Sequence, residues 1–155
     1  MGLNKKTSVV YYKNNRNNIL EGCKIAILGY GSQGRAQALN LRDSGYDVVI
    51  GNLEDGYAKQ ARNDGFIVSN FHLAVIDSDV IFLLLPDHAH KDVYENSIKK
   101  YIKKGSMLLV AHGYSINFDD LKVGNNHDLC LLAPRMPGAP IREQYLLGHG
   151  SPAFF

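Results

Sequence analysis

Three glycines and a handful of titratable side chains are the residues of this chain whose types and spacing could do chemistry. Gly29, Gly31 and Gly34 form G-x-G-x-x-G, entered from the apolar run Lys24–Leu28 and left through Ala36, Ala38, Leu39 and Leu41. Strand, glycine turn and helix in that order is the context in which the motif means dinucleotide binding. Gly29 permits a tight turn, Gly31 lets the backbone approach a pyrophosphate, and Gly34 lets the helix pack close to the strand. The free N–H groups of the helix's first turn, with its dipole, then face the phosphates.

His112 follows an apolar strand and precedes Gly113, so it emerges at the strand's carboxyl end. A titratable ring there could shuttle a proton or bond a substrate, or merely satisfy backbone groups at the rim. His88 and His90 are two residues apart in an expected loop, and no third ligand stands at diagnostic spacing. They are read as solvent-facing or cofactor-adjacent, and no metal site is expected. Asp119 and Asp120 are read as the beginning or cap of a short helix near Leu121 rather than as a metal carboxylate pair.

The elements that must position these residues alternate. Val9–Tyr12 reads as a short extended segment. Strands are expected at Lys24–Leu28, Tyr46–Ile50, Phe66–Val68, Asp79–Leu85, Ser106–Ala111 and Asp128–Ala133, with the start of another at Ala153–Phe155. Helices are expected over Ser32–Asp43, Tyr57–Asn63, from the cap Asn70 through Ile76, over Lys91–Lys103, and for a turn or two at Ile141–Leu147. This alternation predicts an α/β fold with a doubly wound, mostly parallel sheet of the Rossmann type. Ligands of such sheets sit at the carboxyl ends of the strands, where the strand order reverses. That rule gathers Gly29–Gly34, Gly51–Gly56, Pro86–His90, His112–Gly113 and Pro134–Gly138 along one rim.

The 155 residues make a single dinucleotide-binding domain by length, and 45% hydrophobic with 21% charged residues is ordinary for a globular protein. A net charge of +2 is too small to argue for nucleic acid or an anionic membrane, and neither is expected as a partner. The longest apolar run, Val80–Leu85, is far too short to cross a bilayer. Residues 1–18 carry no apolar signal core, and Cys23 and Cys130 lack C-x-x-C spacing and read as reduced, buried thiols. The expected location is the cytoplasm.

With these residues in place, the chain resembles the amino-terminal domain of ketol-acid reductoisomerase, also called acetohydroxy-acid isomeroreductase, from about Val10 to Pro152. The most specific pieces are Gly29-Tyr30-Gly31-Ser32-Gln33-Gly34, Ala38 to Gly45 and Leu84-Leu85-Pro86-Asp87. Ala111-His112-Gly113 and Ala133-Pro134-Arg135-Met136-Pro137-Gly138 extend the match. The resemblance implies a magnesium-dependent alkyl migration of 2-acetolactate-type acids, then hydride transfer from NAD(P)H to give 2,3-dihydroxy acids in branched-chain amino-acid biosynthesis. It implies that Tyr30, Gly31, Ser32 and Gln33 hold the cofactor's phosphates, that Pro86, Asp87, His88, His90 and Gly138 line the rest of its site, and that His112 is the active-site histidine.

The chain departs from the family pattern in three places. The family's loop after the second strand carries an arginine and serines for a 2′-phosphate, whereas Gly51-Asn52-Leu53-Glu54-Asp55-Gly56-Tyr57 carries two acids and neither of those types. An acid about 20 residues past the glycine turn suits ribose hydroxyls and repels a phosphate dianion, so NADH is favoured over NADPH, with Asn52, Glu54 and Asp55 at that end of the site. Lys59, Arg62 or Arg35 could still supply positive charge. Arg35 replaces the family's histidine, and Arg135-Met136-Pro137-Gly138-Ala139 replaces Lys-Gly-Pro-Gly-His. Finally, the family's carboxy-terminal helical domain, which supplies the Asp and Glu ligands of two Mg2+ ions and much of the substrate pocket, is absent. The end at Ala153-Phe154-Phe155 suggests truncation. The expectation is a domain that is inactive alone, the small-molecule substrate and magnesium requiring the missing domain or a partner chain. The alternative is a stand-alone NAD(P)-binding sensor, or a subunit completed in trans.

Overall fold

Runs of consecutive apolar residues become the middle of a sheet here, because a strand buried on both faces has no solvent side to keep polar. The computed structural model describes residues 20–118 and 121–155. Within them the elements are β1 (Lys24–Leu28), α1 (Ser32–Asp43), β2 (Asp47–Gly51), α2 (Gly56–Asn63), β3 (Ile67–Ser69), α3 (Phe71–Val75) and β4 (Val80–Leu83). There follow α4 (Asp87–Val93) with a π-helical turn over Tyr94–Ile98, β5 (Met107–Val110), α5 (Tyr114–Asn117), β6 (Asp128–Leu131), β7 (Ala133–Pro134), α6 (Gly138–Leu146) and β8 (Ala153–Phe154). Val9–Tyr12 and the Asp119–Asp120 pair lie outside the described residues. The helical turn seen in that region is α5, upstream of the expected position near Leu121.

The first six strands form one fully parallel sheet in the order β3-β2-β1-β4-β5-β6. Side chains alternate across it. Ala26, Leu28, Ile81, Leu83, Leu108 and Val110 pack with α3, α4 and the π turn, while Ile25, Ile27, Phe82 and Leu109 face the opposite core with Ala38 of α1. The order reverses between β1 and β4, so the crevice beyond their carboxyl ends is the expected binding place. No described helix is long and apolar enough to cross a membrane.

Several boundaries differ from the sequence reading, each for a local reason. β2 and β3 start one residue later than expected because Tyr46 and Phe66 belong to the ends of the preceding helices. Gly45 (φ +90°) donates to Arg42 and Tyr46 to Leu41; Gly65 (φ +90°) donates to Arg62 and Phe66 to Ala61. This paired arrangement needs a left-handed residue, and glycine takes that conformation without strain. β4 ends at Leu83, two residues short of the expected Leu85, so Pro86 does not stop it: Pro86 is the N-cap of α4, and Pro86–His90 is the start of a helix rather than a loop. The buried residues Val93 and Ile98 stand five apart, a misfit to the α-helical period. The wider π turn absorbs it, Lys99 N–H reaching the Tyr94 carbonyl at 2.9 Å.

The expected strand Asp128–Ala133 divides. β6 joins the main sheet, while β7 pairs antiparallel with β8 in a separate ribbon. α6 starts three residues earlier than expected, since Pro140 in a first turn breaks no hydrogen bond. Cys23 and Cys130 are unpaired and only partly buried, not sequestered in the core.

Candidate dinucleotide-binding site

The turn from β1 to α1 is shaped by three close approaches. Gly29 has φ +94°, and its N–H is fixed to the Gly51 carbonyl at 2.9 Å. A side chain at Gly34 would drive its Cβ far inside 3.0 Å of the Gly29 carbonyl oxygen, and one at Gly138 would meet the Ser32 carbonyl in the same way. At Gly31, by contrast, a Cβ would meet nothing within 4 Å. Gly31 is the N-cap of α1 and offers no side chain to its N–H groups. The open space therefore lies where a pyrophosphate would approach the helix N-terminus.

Long-range hydrogen bonds bring the Pro134–Gly138 segment onto this turn. The Gly138 N–H donates to Ser32 Oγ (3.2 Å), and Gln33 Nε2 donates to the Met136 carbonyl (3.1 Å) while Gln37 supports Gln33. Ser32 keeps its hydroxyl proton for another acceptor. Tyr30 behaves differently from its neighbours. Its ring is buried against Phe66, its N–H donates to Asn52 Oδ1 (3.1 Å) and its hydroxyl donates to Asp64 (3.0 Å). Burial, reinforced by Asp64, pushes the phenol well above its ordinary range. Tyr30 thus shapes the wall rather than offering a free donor.

Beyond β2 the acidic loop is tightly organised. Asp55 Oδ1 caps α2, accepting from the Tyr57 and Ala58 N–H groups (2.8 and 3.0 Å) and from Asn52 Nδ2 (2.9 Å). Glu54 holds Arg62 through both oxygens, at 2.6 and 2.7 Å. Arg35 grips Asp64 in the same two-pronged way, at 2.8 and 3.2 Å, and holds its carboxyl below the usual range. Both arginines that could meet a 2′-phosphate are therefore already paired with acids.

A groove of about 530 Å3 crosses the switch point, lined by the glycine turn, Asn52, Asp55 and the Leu84–Pro86 segment. Next to it, sharing Gln33, Leu84, Leu85 and Pro86 as lining, lies a second of about 320 Å3 that also touches Asp87, His90, His112 and Pro134. His112 stands 70% exposed at that end. His88 is exposed on α4 and lines neither groove. His90 is buried, so it is neither solvent-facing nor in a loop: its Nε2 meets the Leu85 carbonyl at 2.9 Å and its Nδ1 the Ser115 hydroxyl at 2.8 Å. No three His, Cys, Asp or Glu side chains among the described residues are placed to hold a metal ion. Ser115 and Asp64 were not singled out from the sequence. Nothing local marks either: Ser115 meets His90 across 25 residues and Asp64 meets Arg35 across 29.

Burial pushes the His90 imidazole below its ordinary value of 6.5. The unfolded chain takes up this proton near 6.5 while the native ring resists, so the unfolded state binds more protons in that window. The contribution to stability is complete above 6.5 and falls as the pH drops below it. Urea midpoints should therefore decline between about pH 7 and about pH 5, with His90→Gln flattening that decline. Identical pH slopes in the two proteins would show that the native ring protonates freely.

A six-stranded parallel sheet of this order, with a glycine turn and a crevice at its reversal, defines a dinucleotide-binding domain. A family model described as the acetohydroxy acid isomeroreductase NADPH-binding domain matches residues 19–155, and the chain belongs to that family. It is 40% identical over 145 residues to the ketol-acid reductoisomerase (NADP(+)) of Methanosphaera stadtmanae, covering 93% of this chain and 44% of that one. The structure of an NADH-preferring ketol-acid reductoisomerase from an uncultured archean superposes with a TM-score of 0.85 at 39% identity, over 88% of this chain and 43% of that one. A semialdehyde dehydrogenase NAD-binding protein from Cupriavidus necator, at 22% identity and a TM-score of 0.66 over 73% of this chain and 41% of that one, shares the fold. The chain thus spans less than half the length of these relatives.

Proposed function

We propose that this chain is the nucleotide-binding part of a ketol-acid reductoisomerase that takes NADH in preference to NADPH. The reaction it serves is alkyl migration in a 2-acetolactate-type acid followed by reduction to a 2,3-dihydroxy acid. The observation that carries this reading is the pair of adjacent grooves running from Asn52 and Asp55, past the open Gly31 turn, to Asp87 and His112. Their lining residues succeed one another in the order a dinucleotide would need: the ribose end at the acidic loop, the pyrophosphate at the α1 N-terminus and the nicotinamide end near His112.

The bound nicotinamide supplies the hydride. This chain's residues bind and orient it: α1 N–H groups and Ser32 hold phosphate, Gln33 and Gly138 close the turn, and Pro86 shapes the wall between the two ends. His112 bonds the substrate's oxygen or moves its proton. The preference for NADH is supported by the pairing of Glu54 with Arg62 and Arg35 with Asp64, which occupies both arginines and leaves Asp55 as the loop's remaining acid at the ribose. The two named relatives differ on this point, one being an NADP(+) enzyme and the other NADH-preferring, so the loop is the better guide. Magnesium and much of the substrate pocket are supplied from outside these residues, and the chain alone turns nothing over.

Titration of the chain with NADH and with NADPH, followed by calorimetry, tests the reading. NADH should bind the more tightly. Tighter NADPH binding overturns the loop argument, and no binding of either overturns the groove assignment. Acetolactate turnover by the chain alone overturns the need for outside residues.

A further inference from the structure

His112 Nδ1 has two neighbours, and they ask for opposite things. Asp87 Oδ2 lies 3.2 Å away on the first turn of α4, and the Tyr114 backbone N–H lies 3.3 Å away. A carboxylate only accepts, so it needs a proton on Nδ1; a backbone N–H only donates, so it needs the Nδ1 lone pair. A neutral ring can satisfy one of them.

The surroundings of Asp87 select between the two. His90 is the other ring close by, its Nδ1 3.9 Å from Asp87 Oδ1. Its tautomer is set elsewhere. The Leu85 carbonyl accepts, so His90 Nε2 carries the proton, and Nδ1 then accepts from Ser115 Oγ–H. Burial also keeps the ring neutral. Ser115 has one hydroxyl proton, and its contact with the Asp87 carbonyl is the longer one, at 3.4 Å against 2.8 Å to His90. Neither His90 nor Ser115 offers the Asp87 carboxylate a proton. Among the described residues His112 Nδ1 is the nearest side-chain donor left to it. In the structure the Tyr114 N–H is hydrogen-bonded to Nδ1 while Asp87 stands within ion-pair reach of the same atom. A hydrogen bond to an ionised carboxylate is roughly twice as strong as a neutral one, so a small turn of this exposed ring makes the carboxylate the stronger claimant.

We propose that Asp87 is a positioning residue for His112: it selects the Nδ1–H tautomer and leaves the Nε2 lone pair to accept a proton from a ligand hydroxyl in the groove. The buried His90–Ser115 pair keeps the carboxylate free for this. The inference deepens the proposed function and rests on it for the identity of the ligand, but the tautomer itself does not depend on any cofactor.

The test is a long-range 1H–15N correlation spectrum of the uniformly labelled chain at mildly alkaline pH, where imidazole is neutral. His112 should show a proton-bearing Nδ1 and a bare Nε2, the reverse of the form favoured by free histidine in water. Asp87→Ser, which keeps a short polar residue at the helix start, and Asp87→Ala should both move His112 to the Nε2–H form, with Tyr114 N–H as its remaining partner. Asp87→Glu should restore part of the Nδ1–H signature. His90 should stay Nε2–H throughout and report that the fold is intact. A wild-type His112 protonated on Nε2, or a pattern indifferent to loss of the carboxylate, overturns the proposal, and the wild-type spectrum decides even if a variant fails to fold. Because no nucleotide is added, failure here is distinguishable from failure of the NADH titration.

Discussion

Gly34→Ala is expected to unfold or nearly unfold the domain, whereas Gly31→Ala three residues earlier should leave its stability intact and abolish tight nucleotide binding. On helix propensity alone, alanine at a helical position should stabilise by about 1 kcal/mol. Sterics reverse that sign at Gly34. The added methyl would press on the Gly29 carbonyl, which is backbone and cannot swing aside. Gly29 cannot yield either: its N–H is tied to Gly51, and its own α-carbon already faces the Leu84 carbonyl, where a Cβ would sit 2.9 Å away. Overpacking of this kind costs about 3 kcal/mol or more, a large share of what a small domain has in reserve. At Gly31 the methyl meets no protein atom but occupies the space a pyrophosphate would use. Urea unfolding and NADH titration of both variants check the pair. A Gly34→Ala protein with a wild-type midpoint, or a Gly31→Ala protein that binds NADH normally, would contradict this account of the turn.

The same turn explains what could be read from the chain and what could not. β1, the glycine turn and α1 lie where the sequence places them, since an apolar β-rich run, three glycines at fixed offsets and a helix-forming segment are all local signals. β4 was legible for the same reason, as a run with no polar side. The misplacements came from elements whose meaning depends on a neighbour. Pro86 reads as a strand stop, and that it opens a helix instead depends on the packing of the residues that follow it. The short ribbon of β7 and β8 pairs Ala133 with Phe154 and Pro134 with Ala153, with no hairpin turn signal between them.

At the site, rim residues were legible by type and order, but their partners were not. Asn52 meets Tyr30 across 22 residues and Arg35 meets Asp64 across 29. Sequence shows that the second loop is acidic. It does not show that Asp55 serves as a helix cap while Glu54 engages Arg62, so that two neighbouring acids have separate duties.

That division of duties leads to the second large expected effect, a shift of cofactor preference by Glu54→Gln. Asp55 cannot be removed cleanly, because α2 loses its cap with it. Glu54 can, since its bonds run only to Arg62 among the described residues. The guanidinium holds the Glu54 carboxyl below its usual range, so Glu54 is a carboxylate at neutral pH and keeps its charge wherever Arg62 turns. Both side chains are largely exposed, and an exposed pair is weak enough for a phosphate dianion to compete for the arginine. The obstacle to that competition is the repulsion of the dianion by Glu54 itself. With glutamine at this position the repulsion is gone and Arg62 is released for two-pronged recognition of the 2′-phosphate. NADPH affinity should rise roughly tenfold while NADH affinity changes by less than about threefold. The gain should shrink as salt is added, because the new contact is exposed and charge-driven. Arg62→Gln in the same background should cancel it. If Glu54→Gln leaves the ratio of the two affinities unchanged, Arg62 does not reach the phosphate, and discrimination must come from the capped Asp55 rather than from the pair that closes over the loop.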